Sequence, residues 1–315
     1  AAAAAPPRAA RGGPCRPTDA TCASVNGGDH MLIQVQHAKV AQHKHEQLGY
    51  PGTGEFVANA EWCKGEVPAT SWSLKNCSAA GTALEVKVMS YNLFWWNLFG
   101  IRGGNGGSAG KLIADHQVED GTPVPYDFMG FQECDDVNRI FTDARNAGLP
   151  DEYSTLVGSH ALGMVYRSSS WSLLEQGADD VGEDRADQWY GNRGAQWARF
   201  QHKATGKTAM VINHHGPLPV NTGGKCGGQA TAFNILRNIA TRSQDGDAVF
   251  IMGDFNADQS SETFKELDKR LKHVFTGVSF GGVDHIFSTS CAASSGRRLG
   301  DGGSDHEAID AKISI

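Results

Sequence analysis

From Leu84 onward the apolar residues of this chain come in short runs, and run after run ends on a carboxylate, an amide or an imidazole. Short apolar runs bounded by turn signals are strands, and runs with a 3.6-residue period between them are helices. Residues 86–91, 126–131, 154–157, 163–166, 195–201, 208–213, 248–252, 283–287 and 308–313 read as strands. Helices are expected over 111–118, 136–147 and 229–242, with a further one running from a cap at Ser260 or Ser261 to about Leu271. Strands this numerous and unevenly spaced do not suit one alternating barrel. Two sheets packed face to face with helices outside accommodate them, an α/β architecture. Strand ends gather on one rim, so the polar residues that end them are expected to meet there.

A chain of 315 residues exceeds a typical single domain. The expected division is a tail and Cys-containing accessory segment over 1–83, then a catalytic domain over 84–315. A net charge of -7 excludes bulk electrostatic capture of nucleic acid, so any polyanion must be held locally, with help from a metal. Cys15, Cys22, Cys63 and Cys77 cluster in the first quarter and hint at disulfides and a secreted or lumenal setting, whereas Cys134, Cys226 and Cys291 read as buried inert thiols. No CxxC spacing suggests zinc. No apolar run approaches the ~20 residues of a transmembrane helix. The opening AAAAAPPRAARGGP reads as a flexible tail or the remnant of a targeting segment, and Asn76-Cys77-Ser78 is a weak match to a glycosylation acceptor. His37, His43 and His45 lie in a helix-compatible stretch over 31–48 whose Gln and Lys mark a solvated face.

The chemistry is concentrated at the strand ends. AVFIMGDFN, residues 248–256, delivers Asp254 and Asn256 two apart, on one side of a persisting strand. Glu133 ends YDFMGFQE, and a hard oxygen donor of this kind suits Mg2+, Mn2+ or Ca2+ better than zinc. His214 and His215 end the strand TAMVINHH; alternation sends them to opposite faces, and His215 is the expected site residue. Near the end of the chain, Ser304-Asp305-His306 follows a glycine-rich loop, and Asp284 in GVDHIF is available to orient the His306 imidazole. A carboxylate, an amide and imidazoles together can orient a water, neutralise a phosphoryl group and protonate a leaving oxygen.

The ordered set MSYN (89–92), FQE (131–133), NHH (213–215), GDFN (253–256), VDHIF (283–287) and SDH (304–306) resembles the endonuclease/exonuclease/phosphatase superfamily, the deoxyribonuclease-like fold. The resemblance implies a four-layered α/β sandwich, with a metal at Glu133 together with Asn92 and Asp305. It also implies that Asp254 and Asn256 position the attacking water or phosphate. His306, paired with Asp284, would be base or phosphate ligand, and His215 would stabilise the transition state or protonate the leaving group. Arg193, in GNRGAQW, would face the phosphate unless it lies on the surface.

The implied partner is a phosphate ester, nucleic acid among the candidates; no protein partner is inferable. The subfamily stays open between a nuclease or other phosphodiesterase, a phosphatase or phospholipase C-type (sphingomyelinase-like) enzyme, and an inactive binding module. No CDR-type signature of inositol polyphosphate phosphatases is present. Asp135 and Asp136 after Glu133 would repel a duplex backbone, whereas Trp95, Trp96 and Phe99 are aromatics that either stack on a substrate or pack in the core. NGGSAGKL (105–112) lacks the first glycine and the hydroxyl residue of a phosphate-binding loop and reads as a plain glycine-rich loop.

Overall fold

The computed structural model describes Cys63 and residues 83–315 apart from 151, 187, 189, 190, 291 and 293. The expected helix over 31–48 with its histidines, the Asn76 tripeptide and Cys15, Cys22, Cys77 and Cys291 lie outside the described residues.

Two six-stranded sheets form the body of the domain. In spatial order the first holds β13 (Ser294–Gly300), β14 (Ala308–Ser314), β1 (Glu85–Asn92), β4 (Phe128–Gln132), β6 (Gly163–Arg167) and β5 (Tyr153–Val157). The second holds β11 (Lys272–Thr276), β12 (Asp284–Ser288), β10 (Ala248–Asp254), β9 (Thr208–His215), β8 (Asn192–His202) and β7 (Trp171–Glu183). A small hairpin joins β2 (Val118–Glu119) to β3 (Thr122–Pro123). Each large sheet has one parallel pair at its centre, β1 with β4 and β9 with β10. Parallel neighbours need a crossover, and helices lie on those paths: α1 (Ser108–Asp115) between β1 and β4, α3 (Gly228–Arg242) between β9 and β10. With α2 (Val137–Asn146) and α4 (Glu262–Asp268) they make the outer layers, and the expected four-layered sandwich is borne out.

Strand alternation sorts the apolar side chains into three cores. Val86, Val88, Phe128, Val211, Phe250, Met252 and Ile286 fill the space between the sheets. Met89, Tyr91, Phe131 and Ile140 pack the first sheet against α1 and α2, and Met210, Ile212, Ile235, Ile251 and Leu267 pack the second against α3 and α4. Trp95 and Phe99, stacked with ring centroids 4.0 Å apart, pack partly buried against the α1/α2 core.

Several local expectations are sharpened or corrected. Asp136 is the N-cap of α2, accepting from Asn138 N at 2.9 Å and Arg139 N at 3.2 Å, so it has a structural reason to be there besides any effect on substrate. Ser261 rather than Ser260 caps α4, through Phe264 N at 3.1 Å. Helix α1 begins three residues before the expected start, because Gly107 at φ 80 makes the turn into it. Cys226 is not a free thiol but is bonded to Cys63, with Cα atoms 5.0 Å apart, across 163 residues of chain. Clustering along the sequence does not choose disulfide partners; meeting in space does. Among the described residues Cys134 is the free cysteine, buried, with burial pushing its thiol well up.

A layer of amides spans the sheets just above the inter-sheet core. Gln132 Nε2 donates to Asn213 Oδ1 at 2.6 Å, and Asn213 Nδ2 donates to Phe131 O and Gly163 O, each at 2.9 Å. Both side chains are fully buried. Gly130 makes room for them, since a Cβ there would come 2.9 Å from Asn213 Oδ1. Asn213→Leu removes the shortest partner of the Gln132 amide and a donor to two backbone carbonyls, and is expected to destabilise the domain by about 2–4 kcal/mol in urea unfolding. A loss below about 0.5 kcal/mol would show that the layer contributes little.

Candidate active site

The face between the sheets changes character at one level. Along β1 the side chains on this face are Val86, Val88, Ser90 and Asn92; along β9, Ala209, Val211, Asn213 and His215; along β10, Phe250, Met252 and Asp254; along β12, counted toward the rim, Ser288, Ile286 and Asp284. Apolar side chains give way to polar ones as each strand reaches the same rim. Register completes the assembly: Asp254 pairs with His215 on one side and Asp284 on the other, and Asn92 pairs with Gln132, the residue before Glu133. The same parity sends His214 and His285 the other way, where His214 packs edge-on to Phe255 and His285 Nε2 donates to Ala257 O at 2.7 Å.

The acids meet through Asn92. Its Nδ2 donates to Asp254 Oδ2 at 3.0 Å and lies 3.3 Å from Glu133 Oε1, while its Oδ1 accepts from Phe94 N at 3.0 Å. The amide therefore organises two carboxylates and turns its oxygen toward the backbone. Glu133 leaves the strand at φ 46 and Asn256 at φ 47, left-handed conformations that a glutamate rarely adopts and an asparagine tolerates. Asn256 N donates to Asp254 Oδ1 at 2.8 Å, and its Nδ2 donates to Gly216 O at 2.9 Å. Burial, then the charges of Asp305 and Asp254, push the Glu133 carboxyl up to about 7 against the pull of His306 and Asn92. Hard oxygen donors that repel one another in this way are a fitting seat for a divalent cation.

Two imidazoles flank these acids in opposite charge states. His306 Nδ1 lies 3.0 Å from Asp284 Oδ2, and its Nε2 lies 3.6 Å from Asp254 Oδ2. Burial alone would lower it, but Asp284, Asp254 and Asp305 outweigh burial and raise it to about 10. Ligand atoms of Asp254, Asp284 and His306 fall within 4.8 Å of one another, close enough for an ion. An imidazole whose two nitrogens both face carboxylates is driven toward the protonated form, however, and an ion there would have to displace that proton to gain a lone pair. His215 contrasts with it. Burial, then Arg193, His214 and His306, drive it well below the usual histidine range. Arg193 Nη1 lies 2.9 Å from His215 Nδ1, and its guanidinium is clamped by Asp184 through Nε at 2.9 Å and Nη2 at 3.1 Å. Arg193 is thus buried beside His215, neither on the surface nor open to solvent.

Every site residue expected from the sequence lies on this rim or beside it. The sequence reading passed over Asp184, Gln132 and Asn213. Asp184 is completely buried and also accepts from Leu218 N at 2.7 Å, yet nothing in GEDRADQ distinguishes it from its acidic neighbours. The amide pair could have been found by parity, since Gln132 and Asn213 continue apolar inter-sheet stripes.

The raised Glu133 carboxyl gives a test with a definite sign. An unfolded glutamate ionises near 4.5 and the folded one near 7, so folding stability falls as pH rises through that window. Removing the charge removes the penalty. In metal-free buffer at about pH 8, Glu133→Gln is expected to melt a few degrees above wild type, and Mg2+ should raise wild type more than the variant. An equal or lower metal-free midpoint with an undiminished Mg2+ response would contradict this role.

Comparison with known proteins agrees with the architecture. The family model described as "Endonuclease/Exonuclease/phosphatase family" matches residues 94–306, more than half of the chain. Among solved structures, an endonuclease/exonuclease/phosphatase from Bacteroides vulgatus superposes with a TM-score of 0.55 at 20% identity, covering 73% of this chain and 98% of that one. A mannosyl-6-phosphatase from Bacteroides thetaiotaomicron gives 0.54 at 19%, covering 73% and 99%. The human Nocturnin catalytic domain with bound sulfate gives 0.53 at 17%, covering 73% and 95%. No curated protein matches the chain in sequence. The match over more than half of the chain, from residue 94 to His306, leads to one assignment: the chain belongs to the endonuclease/exonuclease/phosphatase family.

Proposed function

We propose that the protein hydrolyses a phosphodiester, with a divalent cation bound at the acids and a water attacking phosphorus in line. The observation that carries this reading is the meeting of the Glu133–Asn92–Asp254 acid cluster with an Asp284–His306 ion pair on one side and an Arg193–His215 pair on the other. Glu133 and Asp305 would hold Mg2+, or Mn2+ or Ca2+ in its place, with Asn92 orienting Glu133. Bound there, the cation would offset charge on the phosphoryl oxygens.

The remaining roles belong to the side chains. Asp254 is fixed at one oxygen by Asn256 N and at the other by Asn92, and is assigned to orienting the water. Asn256 keeps a second amide hydrogen for a phosphoryl oxygen. His306, cationic through Asp284, is assigned as a hydrogen-bond donor to the phosphoryl group. His215, held neutral with its lone pair facing the Arg193 guanidinium, offers its remaining N–H as a hydrogen-bond donor to the transition state, while Arg193 beside it supplies positive charge.

A second reading, cleavage of a lipid or small-molecule phosphate, draws on Phe280 and Val278. Phe280 lies 4.7 Å from the His306 ring, and both apolar side chains are exposed there. The fold neighbour named as a mannosyl-6-phosphatase also keeps monoesters in view.

With Mg2+, bis(p-nitrophenyl) phosphate should be turned over faster than p-nitrophenyl phosphate; preference for the monoester would replace the diesterase with a phosphatase. Asp254→Ala and His306→Ala should each lower kcat about hundredfold or more without a matching loss of melting temperature. Parallel losses of activity and stability would make them structural. If nitrophenyl diester, single-stranded DNA, RNA and sphingomyelin all stay intact, an inactive binding module becomes the better description.

A further inference from the structure

One imidazole close to the rim has no part in the chemistry above. His160 lies in the loop between β5 and β6, and its Nε2 meets Asp180 Oδ1 at 2.7 Å. The other oxygen of Asp180 accepts from Asn192 Nδ2 at 2.7 Å. The hydrogen bond from His160 is the largest influence holding Asp180 below the usual carboxylate range, so the acid is ionised and the ring directs its Nε2–H toward it. Nδ1 is left as the ring atom for another partner.

The position of this pair sets it apart from an ordinary surface ion pair. His160 and Ala161 are consecutive non-glycine residues at φ 54, a left-handed stretch that a loop adopts only when its surroundings impose it. The imposing contacts come from both sides of the site. Ala161 O accepts from Cys134 N at 2.8 Å, and Cys134 directly follows Glu133. On the other sheet the ring lies against Gly194, where a Cβ would come 2.8 Å from His160 Cδ2. Gly194 directly follows Arg193, which touches His215. The loop is thus wedged between the strand end that carries Glu133 and the strand that carries Arg193, with half-exposed His160 in it meeting half-exposed Asp180 of β7. Strain held in place beside a reaction centre, with an oriented imidazole at its crest, is what a substrate contact requires.

We infer that His160 is a specificity-determining contact for a second phosphate of the substrate, that of the unit adjoining the scissile bond. A phosphate brought to Nδ1 favours a proton there, and the ring, anchored by Asp180, then donates a charge-assisted hydrogen bond to it. This deepens the phosphodiester reading and rests on it: a chain of linked phosphates offers such a neighbour, whereas an isolated diester does not.

The test measures binding rather than turnover. A phosphorothioate-linked dithymidylate carrying a terminal 5′- or 3′-phosphate is titrated calorimetrically, in Mg2+, against the same compound without one. Wild type is expected to bind one of the phosphorylated forms about tenfold more tightly. His160→Asn, a residue that tolerates the left-handed backbone, should abolish that preference at an unchanged melting temperature, and His160→Lys should retain part of it. A wild type without any preference, or an Asn variant that keeps it in full, would overturn the inference. Wild-type turnover of bis(p-nitrophenyl) phosphate is read separately: its absence with the binding preference intact would remove the hydrolytic reading and leave the phosphate contact standing.

Discussion

The two sheets are tied at their upper edge by buried amides, and the site depends on that tie. Gln132 from the first sheet and Asn213 from the second satisfy each other and two backbone carbonyls in a layer closed to solvent. A buried amide without a partner is heavily penalised, so this layer admits one relative placement of β4 and β9 far more readily than apolar packing alone would. Glu133 is one residue beyond Gln132, and His215 is two beyond Asn213. Fixing the amides therefore fixes the separation of an acid on one sheet from an imidazole on the other.

Above that layer the same physical forces act on two histidines with opposite results. Both are buried, and burial disfavours the charged ring in each. His306 is surrounded by Asp284, Asp254 and Asp305, and their attraction prevails; His215 faces Arg193, and repulsion adds to burial. Asp184 matters here because it holds the Arg193 guanidinium by two hydrogen bonds and so keeps that charge against His215. A cationic and a neutral imidazole are thereby prepared on either side of Asp254, from residues of one type.

Much of this could be read from the chain, and what could not has a physical reason. Strands β1, β4, β9, β10 and β12 are central, buried on both faces, and show as apolar runs with polar ends; parity then separates His215 from His214 and Asp284 from His285. Strands β7, β11 and β13, three of the four sheet edges, went unrecognised, as did the two-residue strands β2 and β3. The middle of β7 is largely exposed, and SSGRRLG in β13 has a single apolar side chain other than glycine, so neither bears an apolar signature. Arg193 was found, but its setting was not: Asp184 approaches it across the end of the β7–β8 hairpin, a contact made by pairing rather than by spacing. The bond from Cys63 to Cys226 escaped for the same reason.

The claim on which everything else rests is that one rim holds two histidines in opposite protonation states. Nitrogen-15 NMR of the histidine rings in metal-free protein, titrated from about pH 6 to about pH 9, reads this directly. The His306 ring should show two protonated nitrogens across the range, because it titrates only near 10, while the His215 ring should show one protonated and one bare nitrogen throughout. Two rings that titrate together near the ordinary histidine value would contradict the account.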